Sequence, residues 1–221
     1  MTEAPGWVKG PKLEAAFALA DTAHAEQNRK GKEDPYINHL IKVAEMVRQF
    51  GGNEDQICAA FLHDTIEDTD VTEDELRERI SPEVARIVVV CTDTDPSDAS
   101  GESETKLSWH RRKPRYHARL AAKAENDPAL LVSLCDKIDN AEDSADDAAR
   151  LGADVFWEPF NAGGACQHWN YTTLLGIYRA KMTDPRHAEP LDRLEHAVTR
   201  LFSVGIPPCT KEDHKHSRGQ R

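Results

Sequence analysis

Apolar side chains recur at a helical spacing along nearly the whole chain, and this period restricts the fold more than any other feature. Leu13, Ala16, Phe17, Ala20 and Ala23 follow the i, i+3, i+4, i+7 pattern and predict a helix over residues 13–30 with one buried face. Asp34-Pro35 supplies an N-cap and a proline at the first helical position, and the segment to Phe50 then presents Ile37, Leu40, Ile41, Val43, Ala44 and Val47 on one side. Gly51-Gly52 ends it. A third helix is predicted after Asn53, through Ile57, Ala60 and Phe61 towards Glu67. A capping box at Thr72-Glu73-Asp74-Glu75 opens a short fourth, and Ser81-Pro82 starts a fifth. The β-branched run Ile87 to Val90 continues the period set by Val84 and has no strand partner nearby, so it reads as helix.

Asp127-Pro128 caps a helix through Leu130, Leu131, Leu134 and Ile138, and residues 165–182 and 191–202 form two closing helices. Thr92 to Thr105 reads as a long polar loop, and Leu151 to Gly164 as a second irregular connection. The polar tail 210–221 is expected to be disordered. There is no β-hairpin signal, internal repeat or Gly-rich phosphate loop. The fold class is all-α, with one domain over residues 1–209 and a core at about 13–182.

At 221 residues the chain can bury a core without disulfide staples, and its five cysteines, with no C-x-x-C pair, read as free or buried thiols. The longest apolar stretches, such as Ile87 to Cys91, are too short to cross a bilayer. The N-terminus lacks a basic start followed by an apolar run, so a cytoplasmic protein is expected. A formal net charge of −11 opposes general binding to nucleic acid or anionic lipid. It does not exclude a small anionic substrate, because a metal and a few local cations reverse the potential inside one cleft.

The most informative segment is Phe61-Leu62-His63-Asp64-Thr65-Ile66-Glu67-Asp68-Thr69. On a continuous helix His63 lies one turn before Glu67 and Asp64 one turn before Asp68, which makes two polar stripes. Burying such groups without partners costs several kcal/mol, so they sit at the surface or gather round a cation. Phe61, Leu62 and Ile66 argue against a plain surface helix. Two further candidate ligands, His39 and Asp136, stand on other predicted helices. Two imidazoles and two carboxylates suit manganese, iron or magnesium better than a thiolate-bound structural zinc. Such an ion lowers the pKa of bound water and stabilises charge on a phosphoryl oxygen. Glu67 and Asp68, beside the ligand set, could orient or deprotonate that water.

The order His39, His63-Asp64, Asp136 resembles that of the HD-domain metal-dependent phosphohydrolases. The string His63 to Thr69, preceded by Pro35-Tyr36-Ile37-Asn38-His39 and followed by Asp136-Lys137-Ile138-Asp139-Asn140, is similar to the hydrolase domain of the RelA/SpoT alarmone enzymes and their small stand-alone relatives. The likeness runs from about Ala15 to Asn140, and more loosely to Met182. It implies an HD-domain helical bundle and a manganese-dependent pyrophosphohydrolase that removes the 3′-diphosphate from guanosine 3′,5′-bis(diphosphate). Carried across by motif, His39, His63, Asp64 and Asp136 match the metal ligands, and Glu67 and Asp68 the pair that positions and activates water. Arg29 and Lys30, after His24, match a basic pair at the nucleotide. Lys137 and Asn140 lie on the substrate side, and Tyr171, in His168-Trp169-Asn170-Tyr171, matches a tyrosine near the ribose and phosphate. The implied partner is a small nucleotide, with no nucleic acid and no membrane.

Bland readings stand beside several of these. Arg29, Lys30 and Lys32 also suit the dipole-complementing end of a helix, and His24 reads as structural. The run His110-Arg111-Arg112-Lys113-Pro114-Arg115 is either a solvated face or a holder of the far phosphates. The residues also accommodate another nucleotide or phosphate ester as substrate, or a non-catalytic nucleotide-binding module. Intact Glu67 and Asp68 speak against a pure binder.

Overall fold

The computed structural model describes residues 2–93, 109–160 and 162–206. Its elements are α1 (Pro11–Ala23), α2 (Ile37–Gln49), α3 (Glu54–Leu62), α4 (Thr65–Asp68), α5 (Glu73–Arg79), α6 (Pro82–Cys91), α7 (Trp109–Ala121), α8 (Pro128–Leu151), α9 (Ala153–Trp157), α10 (Gly164–Lys181) and α11 (Ala188–Phe202), with a 3-10 turn at Pro185–His187. The fold is all-α; among the described residues the only β-type pairing is an isolated bridge between Asn28 and Pro35. No described helix is long and apolar enough to cross a membrane.

Local chemistry sets the helix starts. Asn53 Oδ1 accepts from Gln56 N at 3.0 Å while Asn53 N donates to Gln56 Oε1 at 2.9 Å, a reciprocal cap that opens α3. Ser81 Oγ accepts from Val84 N ahead of α6, and Asp127 Oδ1 accepts from Ala129 N ahead of α8; each of these helices begins with proline. Between α2 and α3 the chain turns through Gly52, where a Cβ would lie 2.5 Å from Val47 Cγ1 and 2.8 Å from Val47 O.

The central helix is α8, which runs along α11 and packs against α2, α3 and α6. Leu40, Val43 and Val47 of α2, Phe61 and Leu62 of α3, Ile87 and Val88 of α6, and Leu130, Leu134 and Ile138 of α8 are fully buried within one cluster reaching from Val8 to Phe202. Fully burying a side chain of this kind contributes roughly 1.5–3 kcal/mol. The framework thus places α2, the end of α3 and the middle of α8 side by side.

Several boundaries differ from the sequence reading. α1 ends at Ala23 rather than Lys30, because the apolar period runs out into Gln27, Lys30 and Gly31. Residues 24–36 instead form a turn closed by Arg29 N on Asp34 O (2.8 Å) and Tyr36 N on Gln27 O (2.9 Å), with Gly31 at φ +76°. Arg29, Lys30 and Lys32 therefore do not stand at a helix end. α2 starts at Ile37, and the Asp34 carboxylate accepts from Asn38 Nδ2 at 2.6 Å rather than capping the backbone. The third helix is not continuous to Glu67, since α3 stops at Leu62 and α4 begins at Thr65. α7 was not foreseen; it is strongly charged, contains Pro114 and buries only Tyr116, His117 and Leu120. The 151–164 connection contains the five-residue α9. Residues 94–105 of the expected polar loop and the whole 210–221 tail lie outside the described residues.

Candidate metal centre

The break between α3 and α4 shapes the site. Asp64 leaves the helical path at φ −102°, ψ −2°, and Thr65 Oγ1 closes the step by donating to Leu62 O at 2.7 Å. A continuous helix would turn neighbouring side chains about 100° apart. Here His63 and Asp64 both reach the same point, with Nε2 of His63 3.0 Å from Oδ2 of Asp64. His39 on α2 brings its Nε2 to 3.7 Å from Asp64 Oδ2 and 3.3 Å from Asp136 Oδ1, and His63 Nε2 lies 3.5 Å from that same Asp136 oxygen. Donor atoms of His39, His63 and Asp136 all fall within 4.8 Å of one another.

The imidazoles are oriented from behind. His39 Nδ1 is 2.6 Å from Asp139 Oδ2, and His63 Nδ1 is 2.9 Å from Ala60 O. An imidazole whose Nδ1–H donates to such an acceptor presents a bare Nε2, the tautomer that ligates a metal. Both Nε2 atoms are buried and neither makes a hydrogen bond of its own. Tyr36 Oη donates to Asp64 Oδ2 at 2.6 Å, while Lys137 Nζ and Asn140 Nδ2 donate to the two oxygens of Asp136. Two nitrogen and two carboxylate donors with no thiolate fit a borderline or hard divalent cation.

Electrostatics agree with that fit. Burial opposes protonation of His39, yet the carboxylates of Asp136, Asp139 and Asp64 outweigh it and raise its pKa to about 9. His63 is raised in the same sense against burial, chiefly by Asp64 and Asp136. Burial pushes Asp64 and Asp136 up, but His63 for the first and Lys137 for the second lead the groups that hold them well below the usual carboxylate range. The anionic cluster draws positive charge into its centre, and a divalent cation supplies that charge in place of protons.

A cavity of about 180 Å³ opens on this centre, walled by Asp64, Glu67, Asp68, Lys113, Asp136, Lys137 and Asn140 among others. Glu67 and Asp68 also border a wider groove of about 800 Å³ that continues along Glu26, Asp70 and Glu75. Glu67 Oε2 accepts from Asp93 N at 3.1 Å, and Arg112 Nη1 lies 3.4 Å from Oε1. Burial first, then the Asp93 charge, raise the pKa of Glu67; burial likewise raises Asp68, against a hydrogen bond from Gln27. Carboxylates shifted upward in this way are better proton acceptors at neutral pH.

The expected substrate-side residues are distributed more widely. Arg29 reaches Asn140 Oδ1 (3.1 Å), Asp143 (3.2 Å) and Asp139 (3.4 Å), so it is tied to the rim formed by α8. Lys30 is exposed, with its ammonium 5.5 Å from the ring centre of Phe160. Tyr171 is buried in the core 6.3 Å from the Phe202 ring, does not wall the cavity, and has its phenol pushed up to about 12 by burial. Sequence reasoning missed Tyr36, Asp139 and Asp93. Tyr36 and Asp139 each lie three residues from a ligand candidate, one helical turn, which is the signal that could have found them. Asp93, whose carboxylate pairs with Arg112 at 2.8 Å and Lys113 at 2.9 Å, had no such signal.

Residues 16–160 match the HD domain family. Among curated relatives, the chain is 34% identical over 135 residues to a guanosine-3′,5′-bis(diphosphate) 3′-pyrophosphohydrolase of Aquifex aeolicus, covering 59% of this chain and 17% of the relative. It is also 34% identical over 125 residues to a probable enzyme of the same name from Synechocystis, covering 57% and 16%. The chain thus spans about one sixth of the length of these relatives. Among solved structures, a metazoan ortholog of SpoT described as hydrolysing ppGpp aligns over 92% of this chain and 100% of its own, with a TM-score of 0.67 and 22% identity. A Listeria monocytogenes EGD-e protein aligns over 74% and 98%, with a TM-score of 0.63 and 24% identity. These two likenesses bear on the fold alone. With the family match extending over the helices that carry His39, His63, Asp64 and Asp136, the chain belongs to the HD domain family.

Proposed function

We propose that this chain is a divalent-metal-dependent hydrolase that removes the 3′-diphosphate of guanosine 3′,5′-bis(diphosphate), leaving guanosine 5′-diphosphate and pyrophosphate. The observation that carries the reading is the pair of buried, unpartnered Nε2 atoms of His39 and His63 converging on Asp64 and Asp136, with Glu67 and Asp68 on the wall of the same cavity. The names of the curated relatives support the substrate. His39, His63, Asp64 and Asp136 would hold the metal, and manganese suits this donor set. When bound, such an ion supplies Lewis acidity towards a phosphoryl oxygen and a lowered pKa for water.

The chain's own residues account for the remainder. Glu67 and Asp68 stand where the cavity meets the groove and take up the proton of the attacking water. Lys137, held at 2.5 Å from Asp136, and Lys113 bring positive charge to the cavity wall, where phosphate oxygens gain negative charge as the bond to the 3′ oxygen breaks. Asn140 and Arg29 form one edge of the opening, and Arg29 is held there by Asp139 and Asp143. The remaining substrate-side assignments, Lys30 and Tyr171, belong to the same reading, as do the placement of one hydrolase domain over residues 1–209 and a cytoplasmic small-nucleotide partner.

The test is pyrophosphate release by purified protein with added Mn²⁺ from guanosine 3′,5′-bis(diphosphate), from ordinary nucleoside phosphates and with a chelator. Release from the alarmone that the chelator abolishes, and that Glu67→Gln with Asp68→Asn removes while metal stays bound, is the expected result. Release only from other nucleotides overturns the substrate. Turnover that survives the double substitution overturns the roles of Glu67 and Asp68.

A further inference from the structure

Behind Asp68 and Asp64 lies a layer of side chains with no role in the reading above. His24 follows the last residue of α1 and donates its N–H to Ala20 O at 3.0 Å. Gln27 N donates to His24 O at 3.0 Å, and Tyr36 N donates to Gln27 O at 2.9 Å, so the backbone of this turn is pinned at both ends. The His24 side chain is buried, with Nδ1 2.6 Å from Gln27 Oε1, and Gln27 Nε2 donates to Asp68 Oδ2 at 3.0 Å.

Asp68 fixes the polarity of this chain. A carboxylate only accepts, so the amide nitrogen faces it, the amide oxygen faces the imidazole, and Nδ1 of His24 carries the proton. His24 Nε2 is then the bare nitrogen, and it is buried without a hydrogen-bond partner. The same ring stacks on Tyr36 at 5.1 Å and 27°, and the Tyr36 hydroxyl donates to Asp64. One imidazole therefore backs two carboxylates of the site, through an amide on one side and a phenol on the other. Gln27 is only half-buried, so water could satisfy its amide. Its bond to a residue 41 positions away is thus a matter of orientation rather than of compensating burial.

We propose that His24 and Gln27 are positioning residues for Asp68, holding its carboxylate where it borders both the cavity and the groove. The inference rests on the hydrolase reading of the site. Its prediction is selective: loss of the Gln27 amide lowers kcat while substrate and metal binding persist, because Gln27 contacts neither the ligand set nor the cationic wall.

The experiment compares Gln27→Leu, His24→Leu and His24→Asn with wild type, measuring kcat, KM and Mn²⁺ affinity. A hydrogen bond to a charged group, discounted for partial exposure, gives a loss of roughly ten-fold in kcat for Gln27→Leu, with KM and metal affinity within about two-fold of wild type. His24→Leu shows a similar loss, and His24→Asn restores turnover because its amide N–H occupies the place of Nδ1–H. In an Asp68→Asn background, Gln27→Leu adds no further loss. Wild-type turnover by Gln27→Leu, failure of His24→Asn to rescue, or a joint fall in kcat and metal affinity would each overturn the proposal. A crystal structure of Gln27→Leu reads the Asp68 rotamer without substrate: a carboxylate turned from its wild-type position supports the inference, and an unmoved one refutes it. Silence of the wild-type enzyme on nucleotides fails the hydrolase reading alone and leaves this structural arm to decide the positioning role.

Discussion

Asp139 is the sharpest place to perturb the centre without touching a proposed ligand. Its Oδ2 accepts from His39 Nδ1 at 2.6 Å, and its side chain is 8% exposed, so the bond is charge-assisted and largely shielded from water. Loss of such a supporting partner costs about 10–100-fold in metal affinity, or roughly 1.4–2.7 kcal/mol. Asp139→Asn keeps an acceptor oxygen but drops the charge, which places it near the ten-fold end. Asp139→Ala leaves a buried Nδ1–H with no acceptor, which places it near a hundred-fold and costs a further ~1–3 kcal/mol of stability in the metal-free protein. Arg29 retains Asp143 at 3.2 Å and Asn140 at 3.1 Å, so its position is little disturbed. The assay is calorimetric titration of chelator-treated protein with Mn²⁺, paired with urea unfolding in chelator. The expected order of affinity is wild type, then Asn, then Ala. Affinities within two-fold of wild type for both variants would refute the claim that Asp139 sets the His39 tautomer.

In metal-free protein His39 has a pKa of about 9 against an ordinary 6.5, so its stabilising contribution is full below about pH 6.5 and lost as pH rises through 9; the urea midpoint in chelator falls across that interval, and a flat profile contradicts the carboxylate cage. Phe61, fully buried between a stacked Trp7 at 5.7 Å and an edge-on Phe17 at 5.6 Å, loses about 3–5 kcal/mol on truncation to alanine, read by urea unfolding. Gly52→Ala forces a Cβ to within 2.8 Å of the Val47 carbonyl oxygen, and a melting temperature unchanged from wild type would show that the α2–α3 turn yields more easily than its packing implies.

The helical period and the starts at Asn53, Ser81 and Asp127 were legible in the sequence because they are local, each decided within four residues, whereas the expected cap at Asp34 does not form. The break at His63-Asp64 was not, because the apolar period runs straight through it even though His, Asp and Thr are weak helix formers, and the bend is sustained by Thr65 Oγ1 on Leu62 O. α7 escaped notice since its charged residues contact Asp93 and Glu67 rather than a core face, leaving a narrow apolar stripe. At the site, His39, His63, Asp64 and Asp136 were readable by residue type, and the structure brings all four together. The supporting contacts of Tyr36, Asp139 and Gln27 depend on tertiary neighbours 28, 100 and 41 positions away; Tyr36 and Asp139 carry only their spacing of one turn from a ligand as a signal, and Gln27 carries none.

The bond from His39 to Asp139 joins residues 100 positions apart, and the centre ties α2 and α3 to α8 across the same span. An ion held there is in effect a removable cross-link closing a long loop. Because such an ion is released on unfolding, it stabilises the folded chain only through its binding, by about 2.7 kcal/mol at a free concentration of 100 times Kd. A cell that runs short of the metal would then lose this protein by proteolysis of its opened form as well as by idling of the site, so that abundance itself would report metal supply.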